Sequence, residues 1–320
     1  MNFIENYKKN IPLYQDFVNE VIFTISEETK QVGLKYADLK GRVKTVESIE
    51  EKIERHKIRN PNEQIYDYAG VRIVCLFEEE KESFANLIKK VFKVTWEDNK
   101  KEKLGSKEMG YQSLHFSVNF DDKYSGPRYN KFQDLVCEVQ ITTVLLEAWA
   151  LINHTISYKN ESAIPINIQR DMNNVSSLLE VAQKVFDDSF DKRKKYLSEI
   201  EKTTKNKDTF LSQPIDFDTL TMYSKTYFPD LEISEHWQNR LIEDIDKNKF
   251  KTLNDINNAV INAKDFVQYY EKVKPVFFMS STDILTKSLG YSDVNFRDKH
   301  AFAEVTIKAF ERFESKKYAS

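Results

Sequence analysis

The sequence predicts an α+β protein in which a mixed, mostly antiparallel sheet flanked by helices is followed by an all-α C-terminal region. Segments 114–120 and 135–141 alternate apolar and polar residues, which is typical of strands with one buried face. Segment 71–77 is apolar apart from Arg72 and predicts a buried strand. Beyond Pro165 the strand signals end, and only helical periodicity remains.

Helices are predicted before, between and directly after these strands, because apolar residues recur there at helical spacing. They cover 11–31, about 46–56, 78–92 and about 142–158, while 99–110 has no periodicity and is predicted to be a loop. The inward-facing residues predicted for the last of these helices are Val144, Ala148, Trp149 and Ile152. Helices on one side of a sheet whose other face is polar make an α+β domain of about 160 residues.

The C-terminal half of the chain predicts helices alone. One long helix is predicted over 166–200, with Ile168, Met172, Val175, Leu179, Ala182 and Phe186 facing inward. A polar break over 202–214 precedes shorter helices near 217–227, 234–246, 252–273 and 297–315. We therefore expect a first domain over 1–164, a long connecting helix over 165–210 and a helical C-terminal domain of unknown role over 211–320.

Charge and cysteine content exclude several classes of function. The chain has 48 Lys and Arg against 51 Asp and Glu, so bulk electrostatic DNA binding is not expected. Cys75 and Cys137 lie in apolar runs, which indicates buried thiols rather than a disulfide scaffold. No stretch is apolar enough to span a membrane, and the N-terminus lacks the pattern of a secretory signal. These patterns predict a cytoplasmic protein without a membrane or DNA partner.

Three charged residues near the predicted strands suggest a binding site. Arg72 lies in an apolar strand, Asp67 comes five residues before it, and Glu138 lies mid-strand between apolar neighbours. A buried guanidinium or carboxylate needs a partner of opposite charge. Two carboxylates beside an arginine could hold Mg²⁺, with phosphate oxygens as its other ligands. The alternatives are a structural ion-pair group and a polar sheet face that simply meets water.

Two basic clusters could bind phosphate. Arg42, Lys44, Lys52 and Arg55 precede the sheet, and lysines 100, 101, 103 and 107 lie in the predicted loop. Each cluster could equally be a solvated surface. Neither a P-loop nor a glycine-rich dinucleotide motif occurs, so phosphate binding would rest on these side chains.

Five short motifs in order resemble the synthetase domain of RelA/SpoT-type alarmone synthetases. They are GRVKTVESIEEKI, DYAGVRIV, GYQSLHF, CEVQITT and NHTISYK. The resemblance covers about residues 10–160 and implies a nucleotidyltransferase-like fold, in the small class that lacks a hydrolase domain. Because little chain precedes Arg42, we expect a synthetase that does not degrade its product.

The resemblance implies transfer of pyrophosphate from ATP to the 3′-hydroxyl of GTP or GDP, which makes the alarmone (p)ppGpp. It assigns ATP binding to Arg42, Lys44, Lys52, Arg55 and Arg72. It assigns acceptor binding to Lys107, Tyr111, His115, Gln140 and His154. Asp67 and Glu138 would hold Mg²⁺ as the catalytic pair, and Glu138 would also take the proton of the attacking hydroxyl.

The acceptor and the partners stay open at this point. Met109, Thr142 and Asn153 depart from the residues that the family usually carries, and two of them affect the acceptor side. One alternative is a toxic relative that pyrophosphorylates the 3′ end of tRNA, with the C-terminal region as a neutralising or sensing domain. Another is an inactive nucleotide-binding regulator. A homo-oligomer is possible, because small members of the family often assemble.

Overall fold

The computed structural model describes residues 3–61, 65, 68–99, 113–156, 165–245, 249–273 and 280–318. The chain divides into two compact units, residues 1–190 and residues 191–320. The three-part division predicted from the sequence, with boundaries after residues 164 and 210, stays a prediction.

The first unit is built on a five-stranded sheet among the described residues. Its strands are β1 (Asp38–Val43), β2 (Ala69–Cys75), β3 (Lys93–Asn99), β4 (Leu114–Asn119) and β5 (Cys137–Thr143). Their order across the sheet is β1-β2-β5-β4-β3. Only the β2–β5 pair is parallel, and the other three pairs are antiparallel. The predicted mixed, mostly antiparallel sheet is therefore confirmed.

The helices of the first unit are α1 (Phe3–Val32), α2 (Val46–Arg55), α3 (Glu80–Val91), α4 (Val144–Ile156) and the first part of α5 (Ile166–Thr203). A short 3₁₀ turn covers Asn130–Phe132. Side chains of α1 and α3 pack on one sheet face to form the core, as expected from their spacing. From α1 these are Phe17, Val18, Val21 and Ile25. Both cysteines are free and buried in this core, as predicted, and burial raises the pKa of Cys75 to about 12.

Gly41 lets helix α1 approach the backbone of β1. A Cβ at this position would lie 2.3 Å from Val18 Cγ1 and 2.8 Å from Ile22 Cδ1, closer than real Cβ contacts. Because side chains alternate along a strand, the neighbours Lys40 and Arg42 project from the opposite face of the sheet. The absence of a side chain at Gly41 therefore lets α1 pack closely against the core face of β1, behind the strand that carries these two cations.

Substitution of Gly41 by alanine is expected to lower the free energy of unfolding by about 1–3 kcal/mol, because the added methyl group overpacks α1 against β1. Urea unfolding followed by circular dichroism measures this change. Gly70 to alanine is the matched control, since a Cβ there meets its nearest atom only at 3.8 Å. Equal unfolding free energies for the two variants would contradict the close approach as the cause.

The buried faces of α4 and α5 differ from those predicted. In α4, Leu146 and Glu147 are buried, whereas Val144, Ala148 and Ile152 are exposed. The prediction is wrong because α4 packs against β2 and β5 over the polar sheet face, where charged groups select its inner side. The predicted inward residue Trp149 is partly buried.

In α5, the inward face predicted from apolar spacing is only partly right: Met172, Leu179 and Ala182 are partly buried, whereas Ile168 is exposed. Val175 and Phe186 are exposed, while Ser176 and Gln183 are buried. The buried side is the one that bonds the segment after β2: Gln183 Nε2 donates to the Leu76 carbonyl at 3.4 Å. This hydrogen bond and the stacking of Phe190 on Phe77, with ring centroids 3.9 Å apart, therefore orient this part of the helix.

Among the described residues of the second unit, all the regular elements are helices apart from two isolated β-bridges, which confirms the predicted helical class of the C-terminal region. After the end of α5 come α6 (Lys207–Leu211), α7 (Phe217–Tyr227), α8 (Glu235–Asp244), α9 (Leu253–Asn262), α10 (Lys264–Val273), α11 (Ser281–Ser292), α12 (Val294–Lys299) and α13 (Glu304–Tyr318). Helices α7, α9 and α11 each begin with a reciprocal capping box. In the parts of the chain that the structure describes, no helix is long and apolar enough to cross a membrane.

Candidate active site

A cleft of about 210 Å³ lies on the polar face of the sheet in the first unit. It is lined by Lys40, Gly41, Arg42, Lys44, Gly70, Val71, Arg72, Glu138, Gln140, Glu147 and Leu151. Four of these residues are cationic and two are carboxylates, a balance that suits a polyanionic ligand. The sequence did not decide whether the polar face of the sheet meets water or a ligand. In the structure this face borders a charged cleft.

Strand register explains why these side chains meet. Lys40 lies opposite Arg72, Arg72 lies beside Gln140, and Gln140 lies opposite His115, which makes one row across four strands. A second row, two residues away on each strand, contains Arg42 and Glu138. Because side chains alternate between sheet faces, both rows project on the side away from the core.

The Arg72 guanidinium is held by two partners in the cleft. Its Nε and Nη2 groups donate to Gln140 Oε1 at 3.1 and 2.6 Å. Its Nη1 group donates to Glu147 Oε2 at 2.7 Å. The charged residue that interrupts an apolar strand is therefore compensated, as the cost of burying it requires.

Glu147 joins a second cation to this group. Its Oε1 atom lies 2.8 Å from Lys40 Nζ, and its side chain is only 10% exposed. Burial would raise the pKa of the Glu147 carboxyl, but Lys40 and Arg72 outweigh burial and lower it. The hydrogen bond to Glu147 raises the pKa of Lys40. Glu147 and Lys40 are therefore both ionised near neutral pH.

Sequence reasoning assigned no role to Lys40 or Glu147. Lys40 shares the parity of Arg42, which would have placed both on one face had β1 been recognised as a strand. Glu147 is the one carboxylate in the apolar segment 144–156. A charge isolated in an otherwise apolar helix was the available signal.

Glu138 lies at the other end of the cleft, where His115 orients it. His115 Nδ1 and Glu138 Oε1 are 2.9 Å apart, and since an ionised carboxylate only accepts, the imidazole N–H donates. Ser113 Oγ lies 2.6 Å from His115 Nε2. Both side chains are mostly buried, at 14% exposure for His115 and 27% for Glu138. The carboxylate of Glu138 is thus fixed at the cleft wall rather than free to rotate.

The oxygen ligands in the cleft determine whether the site suits a divalent cation. Glu138 supplies a carboxylate in the cleft, whereas the second predicted ligand, Asp67, lies outside the described residues. Within the described ranges, no three or more His, Cys, Asp or Glu side chains gather as a metal cluster. Mg²⁺ needs only one or two carboxylates when phosphate oxygens complete its shell, so the donor set fits.

The remaining predicted site residues fall in different places. Arg42 and Lys44 line the cleft, whereas Lys52 and Arg55 lie on α2 and are absent from its lining. His154 is exposed on α4, two turns beyond Glu147. Lys107, Tyr111 and nearly all of the predicted loop 99–110 lie outside the described residues. Gln140, predicted to bind the acceptor, bonds Arg72.

The part of the sequence that forms the sheet and the cleft is similar to that of known proteins. Residues 41–163 match the family described as "Region found in RelA / SpoT proteins". The GTP pyrophosphokinase YwaC of Bacillus subtilis is 28% identical over 143 residues, 43% of this chain and 66% of that protein. The GTP pyrophosphokinase YjbM of the same organism is 33% identical over 133 residues, 40% of this chain and 60% of that protein. The chain thus spans slightly under two thirds of the length of these relatives.

Solved structures share the fold. A GTP pyrophosphokinase family protein from Streptococcus pneumoniae superposes with a TM-score of 0.51 at 21% identity, over 61% of this chain and 97% of that one. Small alarmone synthetase 1 from Bacillus subtilis gives 0.51 at 23% identity, over 60% and 99% of the two chains. At this identity the likeness concerns the arrangement of strands and helices.

Proposed function

We propose that the chain is a (p)ppGpp synthetase, because residues 41–163 match the family described as "Region found in RelA / SpoT proteins". It transfers the pyrophosphoryl group of ATP to the 3′-hydroxyl of GTP or GDP. The observation that carries the proposal is the cleft, in which Arg42, Lys44 and Arg72 face the oriented carboxylate of Glu138. Cations for a triphosphate and a fixed base for a hydroxyl are the two requirements of this reaction.

The reaction forms one bond and breaks one bond. The ribose 3′-oxygen of the acceptor attacks the β-phosphorus of ATP, and the bond from that phosphorus to the α,β-bridging oxygen breaks, so AMP leaves. Glu138 takes the proton of the attacking hydroxyl, and His115 holds the carboxylate in place. Since phosphoryl-type transfer needs little covalent help from the protein, positioning and charge neutralisation by this chain carry the catalysis.

Mg²⁺ bound by Glu138 and Asp67 would neutralise phosphate charge and lower the pKa of the attacking hydroxyl. The lining of the cleft supports the donor assignment of Arg42, Lys44 and Arg72. Lys52 and Arg55 on α2 are proposed as outer contacts of the same phosphates, and Lys107, Tyr111, His115, Gln140 and His154 as contacts of the acceptor.

Incubation with γ-³²P-ATP and Mg²⁺ is expected to label GTP or GDP rather than bulk tRNA. The two curated relatives are named GTP pyrophosphokinases, and this favours a guanosine nucleotide. Parallel reactions with GTP, GDP and tRNA, separated by chromatography or by gel, measure which acceptor gains label. Label on tRNA alone would replace the acceptor but keep the reaction. No label on any acceptor would contradict the enzyme assignment.

A further inference from the structure

Glu147 has no part in the roles proposed so far, although it lies in the middle of the cleft. A carboxylate repels the phosphates that the surrounding cations would attract. It also neutralises part of the positive charge of the cations with which it forms ion pairs. Its side chain is nevertheless 10% exposed and makes short contacts with Arg72 and Lys40 on separate oxygens. Glu147 therefore weakens the attraction of the cleft for phosphate, and its burial there must serve another role.

The contacts of Arg72 provide that reason. A guanidinium has five N–H donors in one rigid plane. Three of them are engaged, two by Gln140 and one by Glu147, and two are left over. The three bonds fix the plane and rotation of the group, and its side chain stays 28% exposed. An arginine held in this way has already lost its rotamer freedom, so binding a ligand costs less.

Lys40 is the second cation that Glu147 holds. It lies two residues before Arg42 on β1 and directly opposite Arg72 on β2, so it continues the row of cations along the cleft. Its ammonium contacts Glu147 at 2.8 Å and Asp38 at 3.4 Å, and the side chain is 47% exposed. An ammonium has three donors, so one is left for a ligand oxygen.

We propose that Glu147 is a positioning residue for the nucleotide donor, holding Arg72 in the orientation that binds ATP and keeping Lys40 beside it as a further donor contact. The inference deepens the proposed function, since it takes ATP as the ligand of this cleft. Glu147 acts through Arg72 and Lys40 and touches no reacting atom. The preorganisation of the two cations outweighs the repulsion between the Glu147 carboxylate and phosphate.

The test is the affinity for Mg-ATP, measured by equilibrium binding without an acceptor. Glu147→Gln keeps the size of the side chain but cannot hold two cations, and it is expected to weaken ATP binding about 10-fold. In an Arg72→Met background the same change should have a clearly smaller effect, about 3-fold or less, because only the contact of Glu147 with Lys40 is then lost. Affinity for GTP or GDP should change little in either background.

Glu20→Gln is the matched control. Glu20 is 11% exposed and pairs with Arg128 at 2.9 Å, so its burial and ion pair resemble those of Glu147, but it does not line the cleft. Its substitution should leave ATP affinity unchanged. A general loss of ATP affinity in both variants would indicate destabilised protein rather than a positioning role and would overturn the proposal.

Two further results would overturn it. ATP affinity of Glu147→Gln equal to that of the wild type would remove the positioning role, as would an equal loss with and without Arg72. If Glu147→Gln does not fold, Arg72→Lys replaces it, since lysine keeps the charge but cannot bond Gln140 and Glu147 in one plane. Wild-type affinity in Arg72→Lys would then contradict the proposal. Because no acceptor is present, failure of transfer to GTP or GDP would contradict the proposed function and leave this result standing.

Discussion

Glu138→Gln is expected to lower the rate of pyrophosphoryl transfer by about 10³-fold while the fold stays intact. The amide has the size of the carboxylate, and its oxygen can still accept the N–H of His115, so the local geometry should persist. The amide cannot, however, take the proton of the ribose hydroxyl. It is also a poorer ligand than a carboxylate for a divalent cation.

The measurement is a single-turnover transfer assay at saturating ATP, with GTP or GDP as acceptor. Circular dichroism and the melting temperature report whether the fold is retained. Glu97→Gln is the control: it places the same substitution on β3 of the same sheet, at a residue that pairs with Lys89 and does not line the cleft. If Glu138→Gln kept more than about a tenth of the wild-type rate, neither base nor metal-ligand role could stand.

The strands that sequence patterns identify are those with one apolar face. β4 and the first five residues of β5 alternate, so their buried residues and the residues on the polar sheet face separate by parity. β1 has no such signal: in Asp38–Val43 two of six residues are cations facing the cleft, and Gly41 lies under α1. Pairing with β2, a contact distant in sequence, makes it a strand. β3 is a largely polar edge strand and is missed for the same reason.

The candidate site was predictable where a charge interrupts an apolar strand. Arg72 and Glu138 stand out in this way, and the structure brings both to one cleft. Their partners were not predictable by the same rule. Glu147 belongs to a helix whose apolar spacing indicated another inner face, and its burial depends on two cations from β1 and β2. Electrostatic pairing overrode hydrophobic periodicity at that helix, which is common where a site is built.

Arg72→Met is expected to raise the KM for ATP about 10- to 100-fold, because charge-assisted hydrogen bonds of this kind contribute about 1.5–3 kcal/mol. The KM for the acceptor should change less, although Gln140, one of the proposed acceptor contacts, also loses its bonds to Arg72. The variant should also lose about 1–3 kcal/mol of unfolding free energy, because Gln140 and Glu147 lose a hydrogen-bonding partner.

Arg72→Lys separates these two effects. The ammonium preserves a positive charge beside Glu147, so most of the stability should return, but the in-plane bonds to Gln140 and Glu147 cannot form together. Urea unfolding and steady-state kinetics on both variants measure the difference. If donor binding depends on an oriented guanidinium, Arg72→Lys regains stability without regaining ATP affinity. A variant that regained both would show that charge alone binds the donor, and the geometry of Arg72 would then serve the sheet rather than the nucleotide.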